Sequence, residues 1–272
     1  MSVLSASDRA FWEENGYVVV HDAVPPENLK AAEQAVWEFL EMDPNNLNSW
    51  YPDPPRRSIM VEIYQHQALW DNRQYPRVHQ AFANIWGTEK LWVSFDRASM
   101  SPPMRPSQWE RAGWLHWDIS LDLPIRFWVQ GVLYLTDTPA DQGAFTCVPG
   151  FHRRIEAWIK SLPPGSDPRK QDLESLGAKS IGGKAGDLII WHSALPHGPG
   201  TNTSDRPRVV QYITMSPAQE SNEEARQRRI HGWQNRLTGL GKDQKEKEHH
   251  TGKTAELTPL GRKLLGLERW DN

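Results

Sequence analysis

The sequence predicts a mainly β protein, a sandwich or closed barrel with flanking helices. Three observations carry this expectation. Short runs of β-branched and aromatic residues recur along the chain, each bounded by Gly, Pro, Asn or Asp, and the clearest covers residues 126–136. No regular strand–helix–strand alternation of the parallel α/β kind runs through it. The 272 residues, 38% hydrophobic and 24% charged, suffice for one large domain with a substantial core, expected over 1–272 as a core of about 11–217 and a helical extension over 218–272.

The elements follow in order. Ser5 or Ser7 caps a short helix over 5–15 that Gly16 ends, and Tyr17-Val18-Val19-Val20 reads as a strand. Pro25-Pro26-Glu27 opens a second helix, 28–42, whose Leu29, Ala32, Ala35, Val36, Phe39 and Leu40 recur at helical spacing and should pack on the sheet. Residues 43–57 read as loop; 58–66 fits a helix, and 60–64 equally a strand. A further helix is expected over 73–85, closed by Gly87, and a strand over 90–100. The Pro-, Arg- and Trp-bearing stretch 102–111 is either a lid or an ordinary connection. After the strand 126–136 comes a turn cluster at 137–143, then strands over 144–148 and 187–191 separated by an insertion over 151–184. A last strand covers 209–215. Beyond it lie a charged helix over 223–237, a solvated linker over 242–253, and a closing helix that starts at Thr258-Pro259-Leu260 and offers Leu260, Leu264 and Leu265 to the domain or to a second subunit.

Composition narrows the function classes. A net charge of -3 with scattered basic residues gives no footprint for nucleic acid. The single cysteine, Cys147, excludes an intramolecular disulfide and a thiolate zinc site and agrees with a reducing compartment. No basic-then-apolar leader or membrane-length apolar run is present, so a soluble, cytoplasmic protein is expected. The 14 tryptophans are many for this length and either line a cavity or fill the core.

The chemistry centres on Gly113-Trp114-Leu115-His116-Trp117-Asp118-Ile119-Ser120. On an extended segment His116 and Asp118 project from one face and can hold one ion. An imidazole and a carboxylate suit a divalent transition metal such as iron(II), and a second histidine would complete a face with positions left open. Spacing alone leaves His192 and His197 as candidates for it, both just after a strand. An arginine at the start of the last strand, Arg206 or Arg208, could clamp a carboxylate in bidentate fashion. On the strand 126–136, alternation puts Trp128, Gln130, Val132 and Tyr134 on one face, expected to line the interior. His21, His66, His79 and His152 are read as structural or surface histidines, and Asn202-Thr203-Ser204 as turn chemistry.

Taken together, His-x-Asp, Pro-Gly-Phe-His at 149–152, Gly-Asp-Leu-Ile-Ile-Trp, and Pro-His-Gly-x-Gly-x-Asn-x-Ser-x-x-x-x-Arg resemble the phytanoyl-CoA dioxygenase family of iron(II)- and 2-oxoglutarate-dependent oxygenases, from about Phe11 to at least Pro217. The resemblance implies a double-stranded β-helix, the jelly-roll or cupin-like core. It implies His116, Asp118 and His197 as iron ligands, and Arg208 rather than Arg206 on the distal carboxylate of 2-oxoglutarate. Gln130 and Tyr134 become candidate cosubstrate donors, and Trp117, Trp128 and Val132 candidate pocket lining. The implied reaction is hydroxylation of a C–H bond of a small-molecule or acyl substrate with O2, releasing succinate and CO2. Family members that halogenate lack the carboxylate present here as Asp118. Desaturation, epimerisation or cyclisation by the same oxidant, and a cupin-like protein that binds metal without turnover, are the alternatives. Two residues depart from the family pattern: Phe151 where Ser is common, and Pro199 where a serine often donates to the cosubstrate. Oligomeric state stays open.

Overall fold

The structure, a computed structural model, describes residues 2–54, 56, 58–105, 114–237, 248 and 252–271. Its first helix starts where the chain supplies a reciprocal cap: Asp8 N donates to the Ser5 hydroxyl while Ser5 N donates to the Asp8 carboxylate. Gly16, at φ 73°, closes this helix, α1 (Ala6–Asn15), and turns the chain into β1 (Tyr17–Val20). Helix α2 (Pro26–Leu40) begins two residues before the expected start, because proline in the first turn forfeits no hydrogen bond.

Four expectations need correction before the central strands. The stretch 43–57 contains a single 3-10 turn, Leu47–Trp50, and the ambiguous 58–66 holds only a two-residue strand, β2 (Met60–Val61). The helix expected over 73–85 starts later, as α4 (Pro76–Trp86), and a separate helix, α3 (Gln67–Arg73), precedes it. Pro76 lacks the N–H that a continuous helix would need and keeps Tyr75 extended, at ψ 129°. The strand expected over 90–100 is also two, β3 (Leu91–Val93) and β4 (Ala98–Ser101), in different sheets. Asp96 and Arg97 sit in the break between them.

The strands expected over 126–136, 144–148 and 187–191 are β5 (Val129–Tyr134), β6 (Phe145–Cys147) and β8 (Leu188–His192). The insertion adds α5 (Ile155–Ser161) and β7 (Lys179–Ile181), and β9 (His197–Pro199) is a further strand. The strand expected over 209–215 divides into β10 (Arg208–Tyr212) and β11 (Met215–Pro217), in different sheets. The larger sheet has the order β1-β8-β5-β10-β4-β2, the smaller β7-β6-β9, and β11 pairs with β3. Every pairing is antiparallel. Two antiparallel sheets facing each other form the jelly roll.

Side-chain alternation divides the large sheet between two cores. One face sends Leu133, Leu188, Ile190 and Val209 toward Ala32, Val36, Leu69, Trp70 and Phe82 of the helices. The other sends Val132, Tyr134, Ile189, Trp191 and Val210 toward Phe145 and Cys147 of the small sheet. Fully burying one such aliphatic or aromatic side chain contributes about 1.5–3 kcal/mol, so the two cores hold the sheet rigid from both sides.

After β11 come α6 (Glu223–Gln234) and α7 (Pro259–Leu265), the latter capped by the Thr258 hydroxyl, which accepts from Gly261 N. Leu264 and Leu265 are fully buried in the helix-side core and Leu260 packs on it, so this face is spent on the chain itself. Glu248 departs from the solvated-linker reading: its carboxylate accepts from Tyr64 N at 2.6 Å and Gln65 N at 2.5 Å. The other residues of 242–251, and 106–111 of the candidate lid, lie outside the described residues. No helix among the described residues is long and apolar enough to cross a membrane.

Candidate active site

His116 and His197 are backbone partners. His116 N donates to His197 O at 2.9 Å and His197 N donates to His116 O at 3.0 Å, an antiparallel bridge that brings both imidazoles to one face. This close approach explains Gly198, where a Cβ would lie 2.7 Å from Trp114 O. Asp118, two residues beyond His116, turns its carboxylate to the pair: Oδ1 is 3.6 Å from His116 Nε2 and Oδ2 is 3.3 Å from His197 Nε2. One candidate ligand atom from each residue lies within 4.8 Å of the others.

The protons on the two rings are assigned by their partners. His197 Nδ1 lies 2.9 Å from Leu195 O and His116 Nδ1 lies 3.2 Å from Trp114 O. A carbonyl only accepts, so each Nδ1 carries a proton, which leaves Nε2 as the atom of each ring that faces Asp118 and would bind a metal ion. Burial, then neighbouring His197, lowers the His116 pKa, which favours the neutral ligand form. The Asp118 carboxyl is held well below its ordinary range, first by hydrogen bonding with His197 and also by Gln130, whose Nε2 donates to Oδ2 at 2.8 Å. Two imidazole Nε2 atoms and a carboxylate converging on one another fit a divalent transition ion, which would displace any proton they share, with three protein ligands leaving positions open.

A recess of about 150 Å³ runs inward from this triad, lined by Gln130, Val132, Trp191, Arg208 and Tyr212. Arg208 is 2% exposed, and its Nε and Nη1 have no hydrogen-bond partner among the described residues. A buried guanidinium without a partner is costly, so this arrangement calls for an anion. Asn202 holds the turn that delivers it: Nδ2 donates to Ser101 O and Arg206 O, while Ser204 N and Oγ donate to its Oδ1. Arg206 stands exposed beside Asp205.

The remaining candidates separate clearly. Val132 lines the recess; Gln130 lines both it and a larger outer cavity of about 610 Å³; Trp128 lines only the outer one. Tyr134 lies on the expected face, but its hydroxyl donates to Ile181 O at 2.7 Å and accepts from Phe145 N at 2.8 Å, which ties it to backbone. Trp117 does not line either cavity. Alternation between His116 and Asp118 sends its ring the other way, where Nε1 donates to Ala194 O and the indole packs on Phe151 and Trp158. Phe151 is thus a packing residue. His192 faces His152 and Phe127, away from Asp118, with Nδ1 accepting from Ala194 N.

Sequence reasoning missed Asp96, Arg97, Trp191 and Tyr212 at the recess. Tyr212 could have been found by carrying alternation along from Arg208, and Asp96-Arg97 as a charged pair interrupting a strand-like run. Trp191 needed the register that sets it opposite Gln130.

Comparison with known proteins agrees with this geometry. The family model for phytanoyl-CoA dioxygenase (PhyH) matches residues 12–210. A Dictyostelium discoideum protein named for phytanoyl-CoA dioxygenase is 23% identical over 268 residues, covering 78% of this chain and 75% of its own. The ectoine dioxygenase of Bordetella bronchiseptica is 26% identical over 236 residues, covering 78% and 75%. Among solved structures, the GlcNAc-inducible gene 2 product of Candida albicans superposes with a TM-score of 0.75 at 14% identity over 99% of this chain and 78% of that one. The non-heme α-ketoglutarate-dependent epimerase SnoN of nogalamycin biosynthesis gives 0.57 at 16% identity over 78% and 82%. These likenesses place the sheets in the jelly-roll fold, and a family match spanning more than half the sequence establishes that the chain belongs to the phytanoyl-CoA dioxygenase family of 2-oxoglutarate-dependent dioxygenases.

Proposed function

We propose that this dioxygenase oxidises a C–H bond of a small molecule by hydroxylation, with iron(II) held by His116, Asp118 and His197 and 2-oxoglutarate lying in the inner recess with its distal carboxylate on Arg208. The observation that carries the reading is the buried, unpartnered Arg208 guanidinium on the wall of a recess that also holds a His-Asp-His face. Bound iron(II) would activate dioxygen, the oxidant, one oxygen atom ending in succinate as 2-oxoglutarate loses carbon dioxide and the other in the hydroxylated substrate. The chain does the rest. Gln130 fixes the orientation of the Asp118 carboxylate, and the backbone carbonyls of Trp114 and Leu195 hold the two imidazoles in the tautomer that binds metal. Pro199 lines the recess without a donor, so the Tyr212 hydroxyl, on the same face of β10 as Arg208, is the group offered to the distal carboxylate in place of the serine the family often carries. Val132, Phe145 and Trp191 keep the recess apolar and exclude water around the bound anion.

The test is anaerobic titration of the iron(II) protein with 2-oxoglutarate, following the visible charge-transfer band of the chelate in wild type and Arg208→Ala. A wild-type band that needs far more cosubstrate in the variant supports the reading. A folded, iron-loaded wild type without the band would move the assignment to a metal-binding barrel that does not turn over.

A further inference from the structure

The outer cavity is walled by Asp96, Asp118, Asp122, Arg126, Trp128 and Thr214, among others. Three of these are carboxylates and one is a cation. Asp118 is committed to the metal face. Asp122 is exposed and accepts from the Ser120 hydroxyl, and Arg126, also exposed, lies over the Trp128 ring at 5.8 Å. Asp96 differs from all of them. It is the half-buried carboxylate that, with Asp118 and Gln130, lines both the outer cavity and the inner recess, so it stands where the two meet.

Its two oxygens are not equivalent. Oδ1 accepts from Arg97 N at 2.8 Å and has Arg97 Nε 3.8 Å away. Oδ2 has no donor among the described residues, although Arg73 lies close enough to act through its charge and donates instead to the Asp96 carbonyl. Burial raises the Asp96 pKa, the cost of a carboxylate held without a full set of donors. A carboxylate with one free oxygen, set at the boundary between a substrate-sized cavity and a metal face, is placed to receive a donor from the substrate.

We propose that Asp96 selects the primary substrate: a compact molecule bearing a protonated amine, amidine or similar cationic donor, which rests on Asp96 Oδ2 and so sets the neighbouring carbon before the metal face. This rests on the assignment of the inner recess to 2-oxoglutarate, which leaves the outer cavity for the substrate. It also disfavours an acyl-CoA, whose phosphates would meet Asp96 and Asp122, with Arg126 the one cation among the described residues that line the outer cavity.

The test is direct binding, independent of turnover. Matched fragments on one small cyclic skeleton, carrying a primary amine, a hydroxyl or a carboxylate, are titrated into the metal- and 2-oxoglutarate-loaded protein with zinc(II) in place of iron(II), and observed by saturation-transfer NMR. The amine should bind about tenfold more tightly than the alcohol and the carboxylate in wild type, and that preference should vanish in Asp96→Asn, which keeps the acceptor for Arg97 N. Equal binding of the three fragments, no binding of any, or an amine preference that survives in a folded Asp96→Asn would overturn the proposal. The wild-type comparison stands even if the variant does not fold. Failure here with a normal chelate band would leave the cosubstrate assignment untouched, whereas loss of the band would remove both.

Discussion

The two cavities that meet at Asp118 are built differently. The inner recess takes its most deeply buried polar groups from strands: His197 and Arg208 are 4% and 2% exposed, and are fixed by the β9–β6 and β10–β4 ladders, with Asp96 and Arg97 at its edge from the break between β3 and β4. The outer cavity takes Ile119, Ser120, Asp122, Pro124 and Arg126 from the connection between Asp118 and β5, and Asp96 from the break between β3 and β4. Chemistry that tolerates little displacement sits on the scaffold, and recognition sits on segments that can vary without disturbing it.

This contrast can be broken at several points. The largest effect is expected for Asp118→Ala, which should cost iron affinity more than about a hundredfold, beyond the penalty for losing an outer-shell partner. Metal content after dialysis, alongside an unchanged far-UV spectrum, checks it. Arg208→Ala should leave iron content as in wild type and weaken 2-oxoglutarate on the order of a hundredfold, read from the chelate titration. Retained cosubstrate affinity would show that the inner recess does not bind it. Trp128→Ala sharpens the comparison from the other side. With its indole on the outer wall only, the variant should bind the amine fragment about tenfold more weakly and titrate with 2-oxoglutarate as wild type does.

The smallest effect concerns the scaffold itself. Burial, and then the charge of His152, depresses the His192 pKa from 6.5 to about 4. The unfolded chain therefore takes up a proton that the folded chain refuses, and the stability present above pH 6.5 is lost as the pH falls toward about 4. Thermal melting of His192→Gln between pH 7.5 and 5 should show a shallower decline than wild type. An identical slope would mean that His192 titrates normally in the folded protein.

Much of this division was legible in the sequence. The strand order, the His-x-Asp pair and Arg208 follow from period-two alternation and from motif spacing, which act locally. Spacing alone leaves His192 and His197 equivalent; the motif that follows His197 favours it through the family resemblance, and the bridge to His116 is what sets it beside Asp118. Trp117 was placed in the pocket by proximity to His116, whereas alternation within the same tripeptide sends it to the core. Tyr134 sits on the right face, but a buried hydroxyl is spent on whatever backbone lies nearest, and that backbone, Phe145 and Ile181, belongs to another sheet. Asp96 escaped notice because a carboxylate in an apparent strand reads as an exposed position until the strand is seen to be two.

The bridge between His116 and His197 has a consequence for folding. Asp118 and His197 are separated by 79 residues, and nothing local brings them together. The three side chains come together only after both sheets have formed, so the unfolded chain has no comparable cluster. An ion bound there acts as a staple across that long loop: it stabilises only the native state, in proportion to the logarithm of its free concentration over its dissociation constant. The melting temperature should therefore rise with added divalent metal and return to its starting value on chelation, which turns protein stability into a readout of the metal site that needs no substrate at all.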